Sequence, residues 1–374
     1  VLEGLMTSPV YQAAVRRSIL VGPTASHMAS DPEARLGEHG KVLYSSIDNI
    51  DRAKLGPKFR PIEWAFDVKI VYGTRTYSAP GQGRTGEAEV LLIDVFHINN
   101  ERLNVFKHKL WETFALNSSR YEGSWDYEEY VRLAEPAFYA ISAITDKEKD
   151  APTIMFGHEY MGIPALFQAT LEGEHGIRTV FHAHECATAR RIVEDHPGHD
   201  TMFYNLLDQA RAKGQYVDHV FHNLDKFLRH ALVSRSYLCD GIIAVGDRTR
   251  DELKFLSPNF DNHPVDLVYN GLLHLKVDMT SPLFYRQMQL DDETKLVSHT
   301  RGLPLAYLTR PVISKGLWRD LKVCHHMDAL LGERKKKAVL YILTSGGGVR
   351  RPQDVKMMEE KYGWPRVHHQ GYPD

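Results

Sequence analysis

Thr153-Ile-Met-Phe-Gly-His-Glu-Tyr160 and Arg178-Thr-Val-Phe-His-Ala-His-Glu185 decide how this chain is read. Each is a short apolar run that ends in a cluster of ionisable residues. A helical pattern over Ile163–Leu171 separates them. A long polar helical stretch, about 200–238, follows. Gly241-Ile-Ile-Ala-Val245 is a third buried strand, Asp247–Leu256 a helix, and Val265-Asp-Leu-Val-Tyr269 a further strand. Strands alternating with helices in this way predict a parallel, doubly wound sheet in an α/β protein.

Working outward, Ser18–Gly22, 66–72 and 89–96 read as strands towards the N-terminus, with Ser78–Gly86 a Gly-rich turn between the last two. Apolar residues at helical spacing (Tyr130, Leu133, Ala134, Ala137, Phe138, Ile141) predict a helix over 127–144. Towards the C-terminus, Asn270-Gly271 opens a polar segment reaching about residue 300, where a domain boundary is placed. A strand at Pro304–Thr309, a helix at Gly316–Leu331 and a strand at Ala338–Leu343 then make one βαβ unit. The expected organisation is residues 1–300 as one Rossmann-like domain and 301–374 as the truncated opening of a second.

Composition narrows the function classes. The chain has 374 residues, with 46 Lys and Arg against 48 Asp and Glu, a net charge of −2. No global field draws it to nucleic acid or to an anionic membrane, so any bound anion needs a local site. Three scattered cysteines, Cys186, Cys239 and Cys324, form neither a disulfide framework nor a metal knuckle, and point to a reducing, cytoplasmic compartment. No apolar run reaches the ~18 residues that span a bilayer, and no signal-peptide pattern opens the sequence. The 20 histidines are the compositional oddity.

In an open parallel sheet, ligands bind beyond the carboxyl ends of the strands. Those ends carry His158-Glu159, His182-Ala-His184, Asp247, Asn270 and, in the second unit, Arg310-Pro-Val-Ile-Ser-Lys315-Gly316. Arg310 and Lys315 flank a strand-to-helix turn with Gly316 near the helix start. A helix N-terminus offers free N–H donors, and the two cations complete a diphosphate site. His182-x-His184 also fits a metal hydrolase. That barrel needs about 250 residues, whereas 190 follow His184 and no further His or Asp ligands are evident at strand ends. No metal is therefore expected.

Taken together, these segments resemble the glycogen and starch synthases, retaining glycosyltransferases of the GT-B fold. Gly157–Pro164 is similar to the family's His-Asp/Glu-Trp segment and Thr179–His184 to its Thr-Val-Phe-Thr-x-His. Cys239–Glu252 is similar to its Ala-Asp-(x)4-Val-Ser-x-x-Thr-x-x-Glu, Val268–Gly271 to its Val-x-Asn-Gly, and Thr309-Arg310 with Lys315-Gly316 to its Ser-Arg-(x)4-Lys-Gly. Lys109–Phe114, with Trp125-Asp126 after it, is closer to the eukaryotic-type enzymes. The resemblance implies two Rossmann-like doubly wound domains facing across a cleft. It implies transfer of a glucosyl unit from UDP- or ADP-glucose to an α-glucan with retention, and no cofactor beyond the nucleotide sugar. His184 would lie beside the transferred sugar and Glu159 would face the acceptor pocket. Asn270 would contact the donor, and Arg310, Lys315 and Gly316 would hold its diphosphate.

Two departures from the family pattern stand out. Gly4 is read as the remnant of the family's Lys-x-Gly-Gly donor loop, without its lysine and second glycine. The family's Glu-(x)7-Glu is missing after Lys315, since Glu333 is followed eight residues later by Tyr341. The chain is accordingly expected to be incomplete and to show little transfer alone. A GT-B transferase for another sugar or a small acceptor, and a non-catalytic glycan-binding module, stay open beside it, as does a homo-oligomer.

Overall fold

Residues 80–83 alone separate two eleven-residue strands, β4 (Lys69–Ala79) and β5 (Arg84–Asp94). So short a connection permits only an antiparallel hairpin, and the two strands pair along their full length. This hairpin is the centre of the first sheet. The computed structural model describes residues 2–24, 31–79, 83–145, 152–173, 176–195, 199–222, 224–270, 303–308, 317–336 and 338–343. They divide into two compact units, 1–195 with 201–274, and 275–374 with 196–200.

The first sheet has the order β1-β5-β4-β2-β3, with β1 (Ile19–Pro23), β2 (Gly40–Ser45) and β3 (Ile50–Asp51). Only β1 and β5 run parallel. The residues before Thr153 thus form a mixed sheet, not a continuation of the parallel one. Side chains alternate across it as the strand period demands. Ile70, Tyr72, Leu91 and Ile93 pack against one hydrophobic cluster, while Val71 and Val90 join Leu36 and Val42 on the opposite face.

Three local expectations are corrected here. The strand expected over 66–72 begins at Lys69, because Phe66 closes α3 (Gly56–Phe66) and is buried with Phe59 on its inner face. Asp67 ends that helix in the left-handed conformation, φ 54°. The Gly-rich turn is shorter than Ser78–Gly86, since the hairpin strands extend into it. The helical stretch over 200–238 is three helices, α8 (His199–Ala212), α9 (Val217–Phe221) and α10 (Leu228–Val233). Gly214, at φ 66°, turns the chain after α8, and His222, at φ 61°, after α9.

Helix α5 (Trp125–Ile144) joins the two sheets. Tyr127, Val131 and Ala134, spaced i, i+4, i+7, sit in the larger core. Leu133, Ala137 and Ala140 repeat that spacing on another face and pack on the first sheet with Phe59 and Phe66. Short helices α1 (Leu2–Met6) and α2 (Pro9–Ala14) precede β1, and α4 (Asn100–Phe114) precedes α5. The Asn99 side chain caps α4 by accepting the N–H groups of Glu101 and Arg102.

The second sheet is all parallel: β6 (Thr153–His158), β7 (Ile177–Ala183), β8 (Gly241–Ala244) and β9 (Val265–Leu267), side by side in chain order. The reversal of strand order that defines a doubly wound sheet is not among these described strands. Right-handed crossovers that always step the same way put their helices on one face. Helix α6 (Glu159–Glu172) packs on β6 and β7, and α11 (Asp247–Leu256) on β8 and β9. Helix α10 touches both α6 and α7 (Ala187–Asp195). Under this layer Thr179, Phe181, Ala183, Ile242 and Ala244 are buried. On the other face Ile154 and Phe156 are 54% and 47% exposed.

In the second compact unit, β10 (Leu303–Leu308) and β11 (Ala338–Leu343) pair in parallel, with α12 (Leu317–Glu333) between them in the chain, the predicted βαβ. No described helix is long and apolar enough to cross a membrane.

Candidate functional site

Register assembles the site. His158 is the last residue of β6 and pairs with His182 of β7, so both side chains leave the same face of the sheet. His184, two residues beyond His182, continues along that face. Three imidazoles therefore meet at the carboxyl edge. His158 Nδ1 and His184 Nε2 lie 3.1 Å apart. The ring centroids of His182 and His184 are 4.2 Å apart, and those of His158 and His182 5.1 Å. One ring nitrogen from each of the three lies within 4.8 Å of the other two.

Burial disfavours a charged imidazole, and all three rings are pushed towards the neutral form. Neighbouring imidazoles add to this for His158 and His182, and His182 falls to about 4. His182 Nε2 is buried with no hydrogen-bond partner among the described residues.

Glu159 opens α6 with φ 56°, the left-handed region that a side chain enters at a cost of about 1–3 kcal/mol. Its Oε1 accepts the backbone N–H groups of His184 and Glu185 at 2.5 and 2.9 Å. The carboxylate thereby ties the start of α6 to the turn that carries His184. Burial raises the Glu159 carboxyl to about 7, with the two N–H donors pulling the other way. Two glycines let this corner close. A Cβ on Gly162 would lie 2.3 Å from Gly157 Cα, and one on Gly157 would lie 2.6 Å from Leu166 Cδ1. The first turn of α6 can thus press directly on β6.

A second polar group braces the same helix. Tyr160 donates its hydroxyl to Asp126 Oδ1 at 2.5 Å, and Arg229 reaches Asp126 Oδ2 at 3.0 and 3.1 Å. The Arg229 guanidinium also lies 4.6 Å over the Tyr160 ring. Beside them opens a pocket of about 240 Å³, lined by Asp126, Glu185, Arg190, Arg191 and Arg229 among others. Each of those arginines is ion-paired with a carboxylate: Arg190 with Glu185 and Glu194, Arg191 with Asp195, and Arg229 with Asp126. Its positive charge is therefore already balanced.

Glu159 and His184 are brought together as neighbours. Asn270 lies beyond the end of β9 and is exposed. Gly4 is in α1, not in a phosphate-cradling loop, and has open space where a Cβ would sit, so the position has no need of glycine. Arg310, Lys315, Gly316 and Gly271 lie outside the described residues.

From sequence, His158 stands at a strand end, yet no metal ligand beyond His182-x-His184 is expected there. His158 corrects that. A partial signal was present, because each histidine follows a short apolar run, but their pairing depends on strand starts at Thr153 and Ile177 that only the structure supplies. Asp126, Tyr160 and Arg229 had no such signal, since they meet from three separate helices. No protein-family model matches this chain, and no curated protein matches its sequence.

Proposed function

We propose that this chain belongs to a retaining glycosyltransferase of the GT-B type, which passes a glucosyl unit from UDP- or ADP-glucose to an α-glucan. The observation that carries the reading is the Glu159–His184 contact at the carboxyl edge of a parallel sheet. The glycogen-synthase resemblance places His184 beside the transferred sugar and has Glu159 face the acceptor pocket. A carboxyl raised to about 7 can take or give a proton near neutral pH, as work on an acceptor hydroxyl requires.

In this reading the second Rossmann-like domain faces the first across a cleft. Arg310, Lys315 and Gly316, which precede α12 in the chain, would hold the diphosphate, and Asn270 would contact the donor. Departure of the nucleotide builds negative charge on the diphosphate, which fixed cations and N–H dipoles stabilise. Closure over the donor excludes the water that would hydrolyse it.

Calorimetric titration tests this. The chain is titrated with maltooligosaccharides, UDP-glucose and ADP-glucose. Binding of glucan and of one nucleotide sugar is expected, and Arg310→Ala should weaken nucleotide binding by about 1–3 kcal/mol, the loss of one charge-assisted hydrogen bond. Glucan binding with no nucleotide binding sinks the transferase reading in favour of a glycan-binding module.

A further inference from the structure

We infer that His158, His182 and His184 form a binding site for one divalent transition-metal ion, of which zinc is the best fit. The geometry supplies the argument. Two nitrogens bound to one tetrahedral zinc at 2.0–2.1 Å lie about 3.3 Å apart. His158 Nδ1 and His184 Nε2 already stand 3.1 Å apart. One ring nitrogen of each histidine lies within 4.8 Å of one on each of the others, so three donors are close enough to converge on one ion.

The donor type selects the ion. Three imidazoles suit zinc, copper or nickel, whereas magnesium and calcium need oxygen ligands. Three protein ligands leave a fourth position for water or a ligand oxygen.

The scaffold is rigid where it has to be. His158 and His182 are on paired strands, and the Glu159 carboxylate holds the backbone that carries His184. The rings need lose no net proton to bind, because neutral imidazoles have one lone pair each and only the tautomers must match. His182 Nε2 is buried without a partner, which shows that the protein's own hydrogen bonds leave polar capacity in this cluster. Metal binding uses ring nitrogens alone, so the contacts of Glu159 with the backbone are untouched. The inference does not depend on the transfer reading, and its test does not measure transfer.

The test titrates the chelator-treated full chain with zinc chloride against a chromophoric competitor, and in parallel with cobalt(II). One zinc per chain is expected, together with the intense visible bands of four-coordinate cobalt. His158→Gln and His182→Gln should each weaken zinc by more than about 100-fold, since even outer-shell partners of a metal ligand are worth 10–100-fold. The doublet on α12 serves as control, and His325→Ala with His326→Ala should leave binding unchanged. Absence of stoichiometric binding, or binding that survives loss of His158 and His182, overturns the site. If either Gln variant fails to fold, X-ray absorption at the zinc edge of the unaltered protein decides. A shell of three imidazoles supports the site, and a shell of sulfur or carboxylate ligands overturns it.

Discussion

On one face of the β6–β9 sheet, Phe181, Ala183, Ile242 and Ala244 are sealed under α6 and its neighbouring helices. On the other face of the same strands, Ile154 and Phe156 are about half exposed and lead along β6 to His158. The two sets interleave residue by residue: Phe181 and Ala183 point one way, His182 and His184 the other. A period of two thus lets one strand serve as core and as chemical surface. The helix-covered face has few ways to change without loss of packing. The histidine face has little packing to lose, so its side chains can be chosen for what they bind. Substitutions on the two faces should therefore differ in kind, stability on the first and binding on the second.

The largest effect is expected from Phe181→Ala. Phe181 is fully buried in the large core, and removing its ring leaves a cavity among close-packed neighbours. Such a truncation costs about 3–5 kcal/mol, the lost transfer free energy plus the cavity term. Urea denaturation followed by circular dichroism should show the midpoint fall accordingly. A loss under about 1 kcal/mol would mean that the helix layer is not a packed core, and the contrast between the faces would collapse.

That contrast was half legible in the sequence. The strands at 153–158, 177–183 and 241–244 are local apolar runs rich in β-branched residues, which declare themselves without tertiary information. Glu159 and His184 were legible as strand-end residues. The pairing of His158 with His182 was not, because register depends on where two strands start against each other, and that is set by packing. The left-handed Glu159 was equally hidden, since a non-glycine residue at φ 56° carries no mark in the sequence. β2 escaped because Gly40-Lys-Val-Leu-Tyr-Ser45 is short and has meaning only beside β4. The proposed diphosphate contacts, Arg310 and Lys315, were legible only as two cations flanking a strand-to-helix turn.

A smaller effect, readable by pH, comes from Glu252 on α11, in the helix layer. Burial raises its carboxyl to about 7, while the Tyr204 hydroxyl that it accepts at 2.7 Å pulls the other way. Between the ordinary value of 4.5 and about 7, the folded protein holds this proton and the unfolded chain does not. Folding therefore loses stability as pH rises through that window, by about 1.4 kcal/mol per pH unit from this group. Glu252→Gln keeps an acceptor for Tyr204 and removes the titration. Denaturation midpoints at pH 5 and pH 7.5 should show the variant gaining on the parent at the higher pH. A gain at the lower pH would reverse the assigned sign.

The smallest effect is expected on the histidine face, and it tests the contrast from the other side. Ile154→Thr keeps the β-branch that suits a strand and exchanges the apolar ethyl arm for a hydroxyl. At 54% exposure the residue has little burial to forfeit, so stability should stay within about 0.5 kcal/mol of the parent. Zinc affinity should be unchanged, since Ile154 is not among the three histidine ligands. Urea midpoints measured at two protein concentrations, tenfold apart, give the result a second dimension. A loss of 2 kcal/mol or more at both concentrations would mean that another part of this chain covers the face. A loss that appears only at the higher concentration would mean that a second copy covers it, because only association makes stability depend on protein concentration. Either result would turn the open face into an interface and confine the chemical surface to the carboxyl edge, where His158, His182 and His184 meet.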